Sequence, residues 1–255
     1  MKISFREGAV VWTCDLSQPV DISTRLEFDS AQPNAFGIDR ATAAPHRAGD
    51  WVGDVREGGS VNCFVVTMCP HGNGTHTECV GHIVAERVFI NDILEDTLVS
   101  AEVVTVELQP LADSGDGYDA PHQPGDLVIT RRALEAAFGA RRTTARALVI
   151  RTLPNGDEKR AAHWSGHNPP YLTNDAMRLV RQLDVKHLLV DIPSVDREDD
   201  DGRLTNHRIF WDVPTGSASF HNVPPSALSF LGSVARTSLA NVILISIRSS
   251  HYRKI

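Results

Sequence analysis

The feature that most constrains the fold is a series of short apolar runs rich in β-branched residues. Each run has four to six residues and is flanked by polar or turn-forming residues. This pattern is typical of buried strands, because helices need longer periodic segments. The predicted strands cover residues 63–67, 103–108, 127–130, 147–150, 187–192 and 242–247.

Two segments carry a helical period instead. The first covers residues 131–138. The second follows Thr173 and Asn174, which are acceptable N-cap residues, and repeats apolar residues at i, i+3, i+4 and i+7. Its apolar positions are Ala176, Leu179, Val180 and Leu183. A turn at Asp184 and the strand 187–192 complete an α/β unit. Since strands outnumber helices, we expect an α/β fold with a mixed sheet.

The composition predicts one globular domain spanning residues 1–255. Of the 255 residues, 42% are hydrophobic and 22% are charged, which is close to the average for globular chains. The net charge of −7 argues against a nucleic-acid binder. The sequence has no run of 18 apolar residues of the kind that would indicate a membrane span. The N-terminal segment lacks the features of a signal or transit peptide, so we expect a cytoplasmic protein whose four cysteines remain thiols.

Long polar connections separate the predicted strands, at residues 30–50, 109–125, 154–170 and 195–206. Connections of this length are usually functional or disordered. Several of their residues have a functional and a structural interpretation. For Phe36 and Trp51, the alternatives are stacking on an aromatic substrate and packing inside the protein. For His163 and His167, they are lining a pocket and lying on the surface. The acidic segment 198–202 does not fit a calcium loop, so we expect it to be solvated.

Candidate metal ligands concentrate in the segment HGNGTHTECVGH, which contains His71, His76, Glu78 and His82. Imidazole nitrogens with one carboxylate suit a transition-metal cation. In a strand, His76 and Glu78 point to the same side, whereas in a helix Glu78 and His82 meet at i, i+4. The alternative is a polar surface loop. Cys79 lies between these residues and is either a ligand or a small buried thiol.

The same segment resembles the core motif H-x-G-T-H-x-D-x-P-x-H of the cyclase family of metal-dependent hydrolases, which includes kynurenine formamidase and isatin hydrolase. Similar stretches occur in the family order: DLS at 15–17, ALVIRT at 147–152 and VDIPSVD at 190–196, followed by His207. The resemblance implies the swivelling β/β/α fold of that family and a homodimer or higher homo-oligomer. The basic and aromatic tail 248–255 is a candidate docking segment, and a frayed terminus is its alternative.

The resemblance also implies a ligand set. His76 and His82 match motif histidines, Glu78 stands at the aspartate, and His207 corresponds to the further ligand of the family. Besides Glu78 in place of the aspartate, three features depart from the pattern. Gly72 replaces the first histidine, although His71 is adjacent, and Val80 replaces the proline. The segment 213–225 lacks the downstream glutamate and offers only His221.

The resemblance implies a hydrolase of amides, formamides or cyclic amides that is similar to arylformamidases. The expected cofactor is a divalent metal, first zinc and alternatively manganese, held by His76, Glu78 and His207, with His71 and His82 as further candidate ligands. His82 is expected to carry the proton as general acid and base, with metal ligation as its other possible role. The rival hypotheses are a non-catalytic protein that binds a metal or small ligand, and an assembly protein without an ion.

Overall fold

The computed structural model describes residues 1–17, 19–94, 98–140, 143–220 and 226–230. Its strands are β1 (Lys2–Glu7), β2 (Val10–Asp15), β3 (Thr42–Pro45), β4 (Arg47–Ala48), β5 (Trp51–Val52), β6 (Phe64–Thr67), β7 (His76–Glu78), β8 (Ala101–Glu107), β9 (Gln109–Pro110), β10 (Leu127–Ile129), β11 (Ala147–Leu153), β12 (Tyr171–Leu172), β13 (His187–Val190) and β14 (Ala227–Phe230). Its α-helices are α1 (Pro70–Asn73), α2 (Ile90–Ile93), α3 (Arg131–Phe138), α4 (Asn174–Gln182) and α5 (Thr205–Trp211). Short 3₁₀ turns cover Val55–Glu57, Val80–His82, Leu111–Asp113 and Asp157–Ala161.

A five-stranded sheet in the order β7-β14-β13-β11-β8 forms the centre of the fold. The last four strands of this order are parallel, and β7 pairs antiparallel with β14 at the edge. Alternate residues of the parallel strands serve two apolar clusters: Leu148 and Ile150 pack in the larger one, Ala147 and Val149 in the smaller. Both faces of the parallel strands are therefore covered, as such strands require.

Helices α3, α4 and α5 contribute to the larger cluster. The N-caps of α3 and α4 follow from the sequence: the hydroxyls of Thr130 and Thr173 accept hydrogen bonds from the amides of Ala133 and Ala176. Asp184 adopts a positive φ of 53° in the turn that follows α4. The chain then enters β13, as the predicted α/β unit requires.

The predicted mixed α/β fold is confirmed: parallel and antiparallel pairs occur together. The two predicted helices and the strands near residues 103, 127, 147 and 187 are present. The predicted strand 242–247 lies outside the described residues, and the single domain and the homo-oligomer stay predictions. None of the described helices has the length and apolarity needed to cross a membrane.

The expectation that 63–67 is a buried strand is wrong. Strand β6 pairs only with β3 in a two-stranded sheet, and its residues alternate between half-buried and exposed. Val65, for example, is 52% exposed. The apolar run predicts a strand, but burial depends on what packs against it, and that information is not local.

A buried ion pair lies near the carboxyl ends of β11 and β13. Asp191, directly after β13, accepts hydrogen bonds from the amide and the hydroxyl of Thr152 in β11. The ammonium group of Lys159 lies 3.0 Å from the same carboxylate. The side chains of Lys159 and Asp191 are 9% and 0% exposed, so each charge depends on the other for compensation.

We predict that Asp191→Ala lowers the free energy of unfolding by about 3–5 kcal/mol, because the buried Lys159 loses its counter-charge. Asp119→Ala is the control: it removes a carboxylate from the exposed Arg178 pair and should change stability by less than about 1 kcal/mol. Urea denaturation of both variants measures the difference. Equal losses would show that Asp191 does not compensate a buried charge.

Candidate metal centre

The first site residue, His71, lies in the single turn of α1. Pro70 begins this turn, where its missing amide hydrogen is not needed. The side chain of Asn73 closes the turn: its carbonyl accepts from the amide of Cys69 at 2.8 Å, and its amide donates to the carbonyl of Asp39. His71 is thereby directed towards the residues that follow in β7.

Strand β7 and the 3₁₀ turn after it place the next three site residues. His76 and Glu78 lie on the same side of β7, as expected for a strand. The turn Val80–His82 then brings His82 back to Glu78 at i, i+4. The sequence left open whether His76 and Glu78 share one side of a strand or Glu78 and His82 meet at i, i+4. Both arrangements occur, one after the other along the chain.

The carboxylate of Glu78 is the centre of the site, and one of its oxygens faces three imidazoles. Its Oε2 lies 3.1 Å from Nδ1 of His71, 3.6 Å from Nδ1 of His82 and 4.0 Å from Nε2 of His76. The rings of His71 and His82 stack with centroids 4.5 Å apart. The ligand atoms of His71, Glu78 and His82 all lie within 4.8 Å of one another.

The tautomer of His76 follows from its backbone contact. Its Nδ1 lies 2.9 Å from the carbonyl oxygen of Gly74, which can only accept a hydrogen bond. Nδ1 therefore donates, and Nε2 presents a lone pair on the side of Glu78. A ring nitrogen held in this way by a carbonyl is typical of histidines that bind metals.

His207, from α5, contacts the other oxygen of Glu78. Its Nε2 lies 3.0 Å from Oε1 of Glu78, and its Nδ1 lies 2.7 Å from Oδ2 of Asp196. All three side chains are buried. The predicted residues His71, His76, Glu78, His82 and His207 are thus brought together around one carboxylate, although three of them lie on one of its oxygens and His207 on the other.

Burial and charge shift the pKa values of these groups in opposite directions. Burial opposes ionisation of Glu78, but hydrogen bonds with His207 and His71 hold its pKa well below the usual range. Burial lowers the pKa of His76 and that of His82, the latter to about 4. Burial disfavours the charged form of His207 as well, yet hydrogen bonds to Asp196 and Glu78 raise its pKa to about 10.

A cavity of about 460 Å³ opens onto the site. The donors just described line it, together with the apolar side chains of Phe36, Ile38 and Leu204. Phe36 is therefore in the position expected of a substrate contact. Trp51 is not part of the cavity lining; it lies near His46, with ring centroids 6.0 Å apart.

The acidic segment Glu198–Gly202 also lines the cavity, and the expectation that this segment is simply solvated is wrong in part. Asp199 and Asp201 are exposed, but Asp200 is buried because its carboxylate accepts hydrogen bonds from the amides of Gly202 and Leu204. Glu198 accepts one from the amide of Gly166. The carboxylates thus satisfy backbone amides of the loop that borders the site.

Other candidates from the sequence lie elsewhere. The thiol of Cys79 points to the carbonyl of Val88 at 3.4 Å, as a buried thiol would, and it is not in the cavity lining. His163 and His167 are exposed and contact each other. His221 and the tail 248–255 lie outside the described residues.

Sequence reasoning missed Asp196 and Tyr118. Asp196 accepts hydrogen bonds from the ring of His207, from the amides of Asn206 and His207, and from the hydroxyl of Tyr118. It therefore satisfies the first amides of α5 and orients the imidazole at the same time. Its place at the end of VDIPSVD, a stretch that resembles the family, was the available signal for Asp196.

The donor set fits a divalent cation. Three imidazole nitrogens and one carboxylate oxygen are ligands of borderline softness, suited to zinc and related ions. In a tetrahedral zinc site, adjacent ligand atoms lie about 3.3 Å apart. The distances of 3.1, 3.6 and 4.0 Å from Glu78 Oε2 bracket that value.

Comparison with known proteins identifies the family. The family model described as "Putative cyclase" matches residues 14–197, which include the donors from His71 to His82 and the partner Asp196. The chain belongs to the cyclase family. No curated protein matches the sequence.

Solved structures were found to be similar to the chain. A potential metal-dependent hydrolase with cyclase activity has a TM-score of 0.52 at 12% identity, over 87% of this chain and 84% of its own. A predicted metal-dependent hydrolase from Bacillus stearothermophilus has a TM-score of 0.46 at 13% identity, over 83% and 80%. Isatin hydrolase A from Labrenzia aggregata, bound to benzyl benzoate, has a TM-score of 0.46 at 13% identity, over 96% and 85%. The first of these supports a common cyclase-family fold.

The presence of Gly72 where the family motif has its first histidine has a steric explanation. A Cβ atom on Gly72 would lie 2.5 Å from the Cβ of Ile38 and 3.0 Å from the carbonyl oxygen of Ala35. The amide of Ala35 donates to the carbonyl of Gly72, which fixes the two segments together. No side chain fits at position 72, and the histidine at the site is supplied from the neighbouring position 71.

We predict that Gly72→Ala lowers the free energy of unfolding by about 1–3 kcal/mol, since it overpacks a closed contact, and that it weakens zinc binding by displacing His71. Gly74→Ala is the matched control, because Gly74 has extended backbone and no atom within 4 Å of an added Cβ. Denaturation and zinc titration of both variants provide the comparison. A Gly72→Ala protein as stable as the control would refute the steric explanation.

Proposed function

We propose that the protein is a metal-dependent hydrolase of amides, formamides or cyclic amides. The observation that carries this proposal is the group of three imidazole nitrogens around one oxygen of a buried glutamate, placed at the side of a cavity. Membership of the cyclase family supports the same class of reaction. The similar structure with a TM-score of 0.52 is described as a potential metal-dependent hydrolase, which is consistent with this proposal.

In this proposal His71, His76 and Glu78 hold the cation, with zinc as the first candidate and manganese as the second. The locked tautomer of His76 and the ionised carboxylate of Glu78 both favour ligation. When bound, such a cation lowers the pKa of a water ligand and polarises the carbonyl under attack. Three protein ligands leave an open position for that chemistry, as catalytic zinc sites require.

His82 carries the proton. Burial lowers the pKa of His82 to about 4, so the ring is neutral at pH 7 and can accept the proton of the attacking water. It then gives this proton to the leaving nitrogen as the C–N bond breaks, which restores the neutral ring. Its side chain is 32% exposed and lines the cavity, so a substrate can reach it.

The apolar part of the cavity favours substrates with a ring or another flat apolar group. Phe36, Ile38 and Leu204 contribute this surface. The half-exposed ring of Phe36 offers a face for stacking. An arylformamide or a cyclic aryl amide combines such a group with the bond to be hydrolysed.

A non-catalytic metal-binding protein is the second candidate. The departures at Gly72 and Glu78, and the absence of a carboxylate from the sequence 213–225, favour it. This candidate predicts a bound ion but no turnover of N-formylkynurenine, isatin or simple esters and lactones. The hydrolase proposal predicts turnover of at least one of them.

We predict that His82→Ala still binds zinc but hydrolyses the responsive substrate 10²–10⁴-fold more slowly, roughly the contribution of a general acid–base group. His76→Ala should lose both zinc and turnover, because it removes a ligand. His46→Ala, in an exposed histidine outside the cavity lining, is the control and should behave as the wild type. Hydrolysis retained by His76→Ala would contradict the role of the cation, and zinc lost from His82→Ala would make His82 a ligand.

We further predict that a chelator abolishes hydrolysis and that zinc restores it. Zinc at 100 times its dissociation constant should raise the free energy of unfolding by about 2.7 kcal/mol, since it binds the folded state. Glu78→Gln should abolish most of this stabilisation, because it removes the charge at the centre of the site. Thermal unfolding with and without zinc measures this stabilisation. If zinc stabilised Glu78→Gln as much as the wild type, the ion would bind at another place.

A further inference from the structure

We propose that Arg197 binds a carboxylate group of the substrate. This inference rests on the proposed function and narrows its substrate class to amides that also carry a carboxylate. Arg197 lies in the loop after β13 and lines the cavity that contains the candidate cation site. Among the described residues that line this cavity, it is the only lysine or arginine.

A buried carboxylate holds the guanidinium of Arg197 from one edge. Nε of Arg197 donates to Oδ2 of Asp126 at 2.8 Å, and Asp126 is 1% exposed. The same carboxylate accepts hydrogen bonds from the hydroxyl of Tyr171, the side-chain amide of Asn168 and the backbone amide of Gln123. Asp126 is therefore a fixed anchor, and the fold positions the guanidinium before a ligand binds.

Most N–H groups of this guanidinium remain available to a ligand. Nη1 donates to the backbone carbonyl of Asp199, and Nη2 has no acceptor within the part of the chain that the structure describes. An arginine carries five N–H donors, so three are left after the contacts with Asp126 and Asp199, and two of these are on Nη2. The side chain is only 13% exposed. Such a held and partly desolvated guanidinium suits a carboxylate, which accepts charge-assisted hydrogen bonds.

Ser194 supplies a second donor to the same cavity. Its Oγ accepts a hydrogen bond from the amide of Asp196 at 3.0 Å, so its hydroxyl hydrogen is left to donate. No described residue accepts that hydrogen. Ser194 and Arg197 both follow β13 at the carboxyl end of parallel strands, where open α/β sheets bind ligands.

The acidic residues of the lining set a condition on this assignment. Glu198 and Asp200 accept hydrogen bonds from backbone amides, which compensate part of their charge. Asp199 and Asp201 are exposed, so water and salt screen them. Since its buried partner also offsets part of the charge of Arg197, binding depends on hydrogen bonds to the guanidinium more than on the net charge of the cavity. The preference for a carboxylate must therefore disappear when Arg197 is replaced.

Calorimetric titration of the zinc-loaded full-length protein tests this preference with two probes that differ at one group, phenylacetate and phenylacetamide. We expect the wild type to bind phenylacetate at least about tenfold more tightly. Arg197→Gln should weaken phenylacetate binding by about 10–100-fold, the usual contribution of hydrogen bonds to a charged group, and leave phenylacetamide binding unchanged. A wild type without the preference for phenylacetate, or an Arg197→Gln protein that keeps it, would overturn the inference.

Arg203→Gln is the matched control for this titration. Arg203 is an exposed arginine that donates to the backbone carbonyl of Asp119, and it is not in the cavity lining. The control should bind both probes as the wild type does. A loss of phenylacetate binding in Arg203→Gln equal to that in Arg197→Gln would show that the overall charge of the protein determines binding, and would contradict a contact with Arg197.

Turnover separates this inference from the proposed function. N-formylkynurenine and its α-carboxamide differ only at the carboxylate. Arg197→Gln should raise KM for the acid by about 10–100-fold, change kcat by less than about threefold and leave both constants for the carboxamide unchanged. Preferred turnover of the carboxamide by the wild type, or equal losses on both substrates in Arg197→Gln, would overturn the inference. If no amide were hydrolysed, the proposed function would fail, and the probe titration would still decide the role of Arg197.

A crystal structure of the zinc-loaded wild type with phenylacetate covers the case in which Arg197→Gln does not fold. We expect a carboxylate oxygen within about 2.7–2.9 Å of Nη1 or Nη2 of Arg197, with the hydroxyl of Ser194 as the second donor. A carboxylate bound to zinc or elsewhere away from Arg197, or no phenylacetate in the cavity, would contradict the proposal.

Discussion

The structure around the site depends on one buried carboxylate, whose negative charge must be compensated at both of its oxygens. Glu78 is 6% exposed and lies at the edge strand of the central sheet. A charge in that position is tolerated only if it is paired and hydrogen-bonded. Hydrogen bonds with His71 and His207 meet this requirement, and these two residues come from the turn of α1 and from α5. The same carboxylate belongs to the candidate cation site, together with the imidazoles of His71 and His82.

How much the sequence predicts depends on how local the determining contacts are. Helices α3 and α4 are predicted because their caps and apolar periods lie within a few residues. The donors from His71 to His82 are predicted because they are neighbours in the chain. The requirement for Gly72 depends on Ile38, and the orientation of His207 depends on Asp196 and Tyr118. Those contacts arise only when distant segments pack, so no local pattern indicates them.

The cavity lining is another feature that local sequence patterns predict only in part. The acidic segment 198–202 has the composition of a solvated loop, and its exposed members match that expectation. Asp200 and Glu198 differ because backbone amides of the folded loop need acceptors. Both residues line the cavity, as does the apolar side chain of Phe36. We expect this lining to decide which substrate the proposed hydrolase accepts.

The central claim, that Glu78 and the histidines around it hold a cation, is tested most directly by anomalous diffraction at the zinc edge from crystals of the zinc-loaded protein. The account predicts one strong peak within about 2.0–2.2 Å of Glu78 Oε2 and of the nitrogens of His71 and His76. A zinc peak at another place in the molecule, or none from protein that has taken up zinc in solution, would contradict it.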